Sequence, residues 1–445
     1  MTTTNSAKNS GTDFRRVLEL VSAQGGLIEN LSKVSPIGHP YQVYGATLGE
    51  LGKIHTNIDR SASRASAVEI GGSGGGIDPE LARGIAAVEA IERHANSALP
   101  SNLLWSDGSD LEGAVFDIGS LPTCSEQELA SPHCPVLPYA VGSKIRWTRG
   151  WSLTAGVPVW VPASLVWLHG QALTPNERFT LPISTGAAAH SSIEAAVRNG
   201  IREVVERDAI ALAWLQQLEL PEIIVDGSDN EIDSQLMAAS DEGRTYRFFD
   251  ATTDLGIPTV YCVETDACSS ALRNVVMCDT NPDFRESVRK ILRELAASRL
   301  GLVTYRLSSE NPFEFTTVYD GALYTGRAER ADAFEFLLHR HGPNRKVRLD
   351  DLPVRVFESA IDELDFLLHQ LTVHGMEVTV VDITTREAEL AGIVVVKVVV
   401  PQLMPLSFVH AARFLAHSRL YDAPVAMGYG RRSAETINPH PQPFA

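Results

Sequence analysis

Two short clusters of charge are the residues in this sequence best placed to do chemistry. Glu89, Glu92 and Arg93 lie in GIAAVEAIERHANS, and Glu203, Glu206 and Arg207 in GIREVVERDAIALAWL, so an E-x-x-E-R group is built twice. On a helix advancing about 100° per residue, Glu206 and Arg207 fall within about 60° of Glu203. Ile201, Val204, Val205, Ala209 and Leu212 gather on the opposite side, and the first segment repeats the pattern with Ala87, Val88, Ala90, Ile91 and Ala95 behind its charges. Charged helix faces are common, and their i,i+3 and i,i+4 pairs contribute only about 0.2–0.5 kcal/mol each. Both of these helices are rich in Ala, Val and Ile and poor in other charge, which makes the acidic positions selective. Two acidic stripes that face one another repel unless cations lie between them. Four carboxylates are hard oxygen ligands suited to Mg2+, with phosphates completing its shell, and Arg93 and Arg207 would orient carboxylates or reach phosphate oxygens. The pattern predicts an ATP site without a P-loop, since neither G-x-x-x-x-G-K-[ST] nor G-x-G-x-x-G occurs.

A rival chemistry starts from GGSGGG, which matches G-x-S-x-G with Ser73 in the nucleophile position of a serine hydrolase. That elbow leads straight into its helix, whereas here Asp78 and Pro79 restart the chain as N-cap and first-turn proline. A flexible turn following a strand SAVEI is expected instead.

The elements that must position these groups follow from pattern and punctuation. Asp78 and Pro79 open a helix running to about Ser97, and Ser191 with Glu194 forms a capping box ahead of a proline-free helical run to Leu215. Residues 14–32 read as an amphipathic helix, 33–66 as a mixed segment with turns at Pro36, Gly38 and Pro40, and 101–140 as surface loops. WSLTAGVPVWVPASLVWL reads as a hairpin. Strands EIIV, PTVYCVE and RNVVMCD then alternate with helices DFRESVRKILRELAASRL, ADAFEFLLHR and VFESAIDELDFLLHQL. VTVVDITT and GIVVVKVVVP give two core strands, HAARFLAHSRL a final helix, and INPHPQPFA a tail whose alternate prolines exclude helix and central strand. The fold class expected is α+β, with mixed sheets and packed helices.

Bulk properties narrow the partners. The 445 residues are 44% hydrophobic and 21% charged, enough to bury a large core. A formal net charge of −17 argues against nucleic acid, whose binding needs a basic face. Five cysteines without a C-x-x-C pair fit reduced thiols in the cytoplasm. MTTTNSAKNSGTD is polar, with no apolar core of a signal peptide, and reads as a disordered tail. The longest apolar run, AGIVVVKVVVP, is broken by Lys397 and too short to span a membrane.

The sequence resembles the YcaO family over about residues 67–445. The likeness rests on GGIDPELARGIAAVEAIERHA, STGAAAHSSIEAAVRNGIREVVERDAIALAW, VDITTREAELAGIVVVKVVVPQLMPLSF and the closing PHPQP. It implies a YcaO-type fold over 67–445, with residues 1–66 as a tail and accessory segment. ATP and Mg2+ would lie between helices, with Glu89, Glu92, Glu203 and Glu206 as metal-binding acids and Arg93, Ser191, Glu194, Arg207 and Lys397 around the nucleotide. Ser191 stands where the family commonly carries an amide side chain, and Ala195 where it often carries a glutamate. The resemblance further implies cyclodehydration of Cys, Ser or Thr in a ribosomally made precursor peptide, the amide oxygen leaving after phosphorylation. Pro439, Pro441 and Pro443 spell the P-x-P-x-P ending of azoline-forming members, which bring the terminal residue, here Ala445, to the reaction; deleting the last five residues is expected to spare ATP binding and remove cyclisation. Implied partners are a separate leader-binding protein, a flavin-dependent dehydrogenase, and a second subunit in a homodimer or hetero-oligomer. Thioamide or amidine formation on peptide backbone, whose branches generally lack the proline tail, and a scaffold role are the alternatives.

Overall fold

The computed structural model describes residues 14–36, 41–49, 71–168, 174–225, 227, 229–241, 243–338 and 345–445. Expectations for residues 1–13, for SAVEI and for turns at Gly38 and Pro40 lie outside the described residues.

Near the N-terminus the expected long helix is not formed. Helix α1 covers only Phe14–Leu18, the chain turns at residues 23–25, and strand β1 begins at Ile28, running to Lys33. β1 pairs antiparallel with β2 (Gln42–Leu48), and β2 with β3 (Gly72–Gly76), so segments on both sides of residue 66 share one sheet. β3 is the GGSGGG stretch itself, a strand and not a flexible turn. Its glycines serve contact: helix α2 (Pro79–Ser97) lies so near that a Cβ on Gly72 would sit 2.3 Å from the Ala86 carbonyl oxygen, and one on Gly74 only 2.0 Å from that of Ala82. A Gly74→Ala substitution is therefore expected to destabilise the protein by at least about 1–3 kcal/mol, measured by denaturant unfolding, because helix and strand must part to admit the methyl group. Asp78 caps α2 as expected, accepting from the Glu80 amide at 2.9 Å.

The remaining strands form two sheets. One runs β5 (Ala114–Val115), β7 (Val157–Pro162), β6 (Ile145–Ser152), β14 (Thr379–Asp382), β15 (Val394–Val399), β8 (Ala187–His190), with β4 (Leu104–Ser106) also paired to β6. β6 and β7 are the hairpin read from WSLTAGVPVWV. The other runs β12 (Asn274–Thr280), β11 (Thr259–Asp266), β10 (Arg244–Asp250), β9 (Glu222–Ile224), β13 (Lys346–Arg348), antiparallel except for the last pair.

Helix α3 (Ile193–Leu215) lies between these sheets. Its first half packs Ile201, Val204 and Val205 with Val396 and Val398 of β15 and with Leu367 and Leu371 of helix α5 (Ala360–Val373). Its second half packs Leu212 and Trp214 with Phe248 of β10 and Ile291 of helix α4 (Phe284–Leu302). Ser192, not Ser191, caps α3, accepting from the Ala195 amide at 3.3 Å. Ser191 instead faces His190, Oγ to Nδ1 3.3 Å.

The closing helix begins later than its pattern suggests. Residues 410–418 form turns, and helix α6 covers Arg419–Ala426. The Glu128 carboxylate accepts from the amides of Arg413 (2.6 Å) and Leu415 (2.9 Å), diverting donors that a helix would use, and Phe414 between them adopts φ +60°. Arg419 then makes a bidentate pair with fully buried Asp208 of α3, both contacts 2.7 Å. Among the described residues no helix is long and apolar enough to cross a membrane.

Candidate functional site

The two acidic stripes belong to helices that pack on the same pair of strands. α2 and α3 both lie against β8 and β15. Each stripe is fixed locally. Glu89 Oε2 accepts from the Ser73 amide at 2.9 Å, and Arg93 donates to Glu89 Oε1 at 3.3 Å. Glu203 mirrors this, accepting from the Gly186 amide at 2.9 Å and from Arg207 at 3.3 Å. Ser73 is thus a backbone donor to the first stripe, on a strand rather than on the strained elbow that a serine hydrolase requires.

The stripes sense each other. Loss of hydration pushes the Glu92 carboxyl up to about 8; Arg93 opposes the rise, and the Glu203 and Glu89 carboxylates add to it. Between them stands Lys397 of β15, only 2% exposed, its ammonium donating to the Ile183 carbonyl at 2.6 Å. Burial lowers Lys397 to about 8, against the pull of Glu203 and Glu92. Glu206 is 7% exposed and is likewise raised to about 8, chiefly by burial, with Arg207 and Lys290 opposing and Asp279 and Glu294 reinforcing.

Asp279, Lys290 and Glu294 are the site residues that sequence reasoning missed. Lys290 on α4 pairs with Asp279 at the end of β12 at 2.6 Å and with Glu294 at 3.6 Å. Glu294, raised mainly by burial, also feels Glu89 of the other stripe. Through Glu294, α4 is thus linked electrostatically to both α2 and α3. The only trace of this in the sequence is the i,i+4 spacing of Lys290 and Glu294, which thousands of exposed helices share.

Other expected residues fall differently. Ser191 and Glu194 stand at the start of α3, and neither makes a hydrogen bond or ion pair with the four glutamates. Nine residues of helix set Glu194 on roughly the opposite side from Glu203. The C-terminal tail, by contrast, is packed against α3. Asn438 donates to the Leu215 carbonyl at 2.8 Å and Trp214 Nε1 to that of His440 at 3.2 Å. Pro439 is exposed, Pro441, Pro443 and Phe444 are buried, and Ala445 is partly buried. The Phe444 ring lies under the Arg207 guanidinium, 4.5 Å from its carbon to the ring centroid. A cavity of about 110 Å3 opens beside Lys397 and Val204, walled by Leu121, Leu181, Val398 and Leu403 among others. Pro405, Leu406 and Ser407 separate it from a smaller one, about 20 Å3, lined by Pro441 and Gln442 of the tail.

These residues fit Mg2+ and a nucleotide triphosphate. The donors are carboxylate oxygens, two of them hold protons that a cation would displace, and Arg207 Nε is buried with no hydrogen-bond partner. Among the described residues no three Asp, Glu, His or Cys side chains stand close enough to cage a metal alone. The arrangement therefore suits an ion held by one or two carboxylates, with phosphate oxygens supplying other ligands.

The two raised carboxyls also set a pH dependence. Between the ordinary carboxyl range and about pH 8 the folded chain keeps protons that the unfolded chain has lost, so stability falls as pH rises through that window and levels off above it. Lys397, lowered to about 8, contributes the opposite trend only at higher pH. A melting temperature that declines from about pH 5 to about pH 8 is expected, together with net proton release when Mg2+ and ATP bind at neutral pH, read as buffer-dependent heats in titration calorimetry.

Comparison with known proteins gives the family and the fold. Residues 73–404 match the family model described as YcaO cyclodehydratase, ATP- and Mg2+-binding. An uncharacterized protein in the tfuA 3′ region of Rhizobium leguminosarum bv. trifolii is 30% identical over 241 residues, 51% of this chain and 54% of that one. A heterocyclase solved in complex with substrate and cofactor is similar at TM-score 0.82 and 23% identity, over 98% of this chain and 58% of the other. YcaO from Methanopyrus kandleri, bound with AMPPCP and Mg2+, is similar at TM-score 0.59 and 20% identity, over 84% of each chain. The chain spans little more than half the length of the first two, and at these identities the structural likeness speaks to the α+β fold. The family match covers most of the chain and takes in both acidic stripes and Lys397: this protein belongs to the YcaO family.

Proposed function

We propose that the chain is an ATP- and Mg2+-dependent cyclodehydratase that forms thiazoline or oxazoline rings from Cys, Ser or Thr residues of a ribosomally made precursor peptide. The observation that carries this reading is the approach of Glu92 to Glu203 across Lys397, from helices more than a hundred residues apart in the chain. A Cys, Ser or Thr side chain attacks the preceding amide carbonyl, the amide oxygen takes the γ-phosphoryl group, and it departs as phosphate, so each ring costs the peptide one water and yields ADP. Mg2+ supplies charge neutralisation on the phosphates. Glu89, Glu92, Glu203 and Glu206 would hold the metal, and Arg93, Arg207 and Lys397 would meet the phosphates. Ser191 and Glu194 would take part from the helix start only through the nucleotide's outer portion.

The packing of the tail on α3, with the Phe444 ring over Arg207, supports azoline formation over thioamide or amidine formation, with Pro441, Pro443 and Ala445 taking part from the tail. On this reading the enzyme acts in the cytoplasm, where its five free thiols stay reduced, as a homodimer or hetero-oligomer. A leader-binding partner delivers the peptide, and a flavin-dependent dehydrogenase oxidises the rings afterwards. Mass spectrometry of the precursor after incubation with the chain, its partner, ATP and Mg2+ tests the proposal. Loss of one water per ring, with one ADP formed, is the expected result. Exchange of oxygen for sulfur would reassign the chemistry to thioamide formation, and an unchanged peptide would count against an enzyme.

A further inference from the structure

The planar guanidinium of Arg207 is held on two edges and one face. Glu203 Oε1 accepts from NH2 at 3.3 Å, Glu206 Oε1 lies 3.7 Å from Nε, and the Phe444 ring covers the face at 4.5 Å. Phe444 is in turn rigidly placed. It is 2% exposed, and the Gln442 side chain clasps its backbone from both sides, accepting from its amide at 2.7 Å and donating to its carbonyl at 2.9 Å. Gln442 is fixed by a close approach to Gly321, where a Cβ would lie 2.2 Å from the Gln442 carbonyl oxygen. Upstream, Asn438 and His440 are tied to Leu215 and Trp214 at the end of α3. The last eight residues are thus laid along the helix that bears Glu203, Glu206 and Arg207, and their one contact with that charged group is an aromatic face.

We infer that Phe444 is a positioning residue for nucleotide binding, which holds Arg207 by its ring face and so couples docking of the C-terminal tail to occupancy of the phosphate site. The inference rests on the ATP reading above. An arginine pinned by two carboxylates alone is free to swing within their plane of charge, whereas a ring beneath it fixes the guanidinium plane and so sets the direction of the N–H groups that an incoming phosphate would meet. Coupling of this kind is reciprocal: if the docked tail raises nucleotide affinity, bound nucleotide holds the tail down by the same factor.

The test uses the full chain with Mg2+ and AMPPNP in titration calorimetry. Phe444→Leu, which keeps an apolar side chain in the buried slot, is expected to weaken AMPPNP binding by roughly 3- to 30-fold, the range of a partly desolvated cation–π contact. Pentafluorophenylalanine at position 444, introduced by ligating a synthetic C-terminal peptide, keeps the ring shape but reverses its quadrupole, and should weaken binding to a similar degree. In turnover the loss should appear in KM for ATP more than in kcat. Release of Ala445 and Phe444 by a carboxypeptidase should slow when Mg2+ and AMPPNP are present. Wild-type affinity in both position-444 variants would overturn the inference, as would wild-type affinity in the fluorinated protein alone, since packing and not the ring's charge distribution would then be at work. Failure of the wild-type chain to bind AMPPNP at all would instead remove the ATP reading beneath it.

Discussion

Glu203→Gln is expected to remove ATP-dependent dehydration almost completely while leaving the fold intact. The amide keeps the side chain's length and one acceptor oxygen, enough for the bond from the Gly186 amide, while the bond from Arg207 to the other oxygen is lost. What disappears is one full negative charge at the place where the two helices approach, facing Glu92, Arg93 and Lys397. Losing a preorganised charged group in a phosphoryl-transfer site lowers turnover by roughly 10²–10³. Measurement of ADP release and of peptide mass in the same reaction checks this, and unchanged dehydration would sink the catalytic assignment. Glu206→Gln offers a contrast. That carboxyl is pushed up to about 8 and already carries a proton over much of the neutral range, so an amide mimics its resting form. Activity should fall, yet the protein without nucleotide should melt no lower than wild type, and its decline in stability toward pH 8 should shrink.

Deleting residues 441–445 is expected to abolish ring formation, with a loss of about 10²-fold or more, as for other displacements of groups that align reactants. The deletion leaves Asn438 and His440 in place, so the bonds to Leu215, Trp214 and Arg413 that anchor the tail's root persist. Sequence alone suggests that ATP binding is spared. The stacking of Phe444 on Arg207 adds a second consequence, a weaker but measurable affinity for nucleotide. Full activity in the truncated chain would reduce the tail to packing material.

Much of this site was legible from residue type and spacing. The doubled E-x-x-E-R groups, the Asp78 cap, the β6–β7 hairpin and the lone lysine in a valine-rich strand all stand where pattern places them, because each is a local statement about helical or strand periodicity. Three kinds of feature were not legible. Asp279, Lys290 and Glu294 come under the influence of the stripes only because α4 packs on β3 and β12, a tertiary fact with no local signature. The GGSGGG stretch was misread because glycine signals both flexibility and close approach, and only the neighbouring helix backbone decides between them. The helix expected over HAARFLAHSRL gives way because Glu128, nearly three hundred residues earlier, captures two of its amides. The N-terminal helix stops at Leu18, and the chain turns back through Gly25, at φ +115°, so that Val21 pairs with Ile28.

The charged residues of the site stand on helices and on the strands that seat them. Gly200 of α3 admits no side chain, since a Cβ would meet Val398 Cγ2 at 2.6 Å. The wall of the neighbouring cavity comes largely from connecting segments, with Leu121, Leu181, Leu403 and Phe414 all outside regular helix or strand. The cavity meets the charged group only through Lys397 among the residues named above, and most of its remaining wall belongs to loops. Substitutions at Leu121 and Leu181 are therefore expected to reshape the cavity while leaving the seat of α3 on β15 in place.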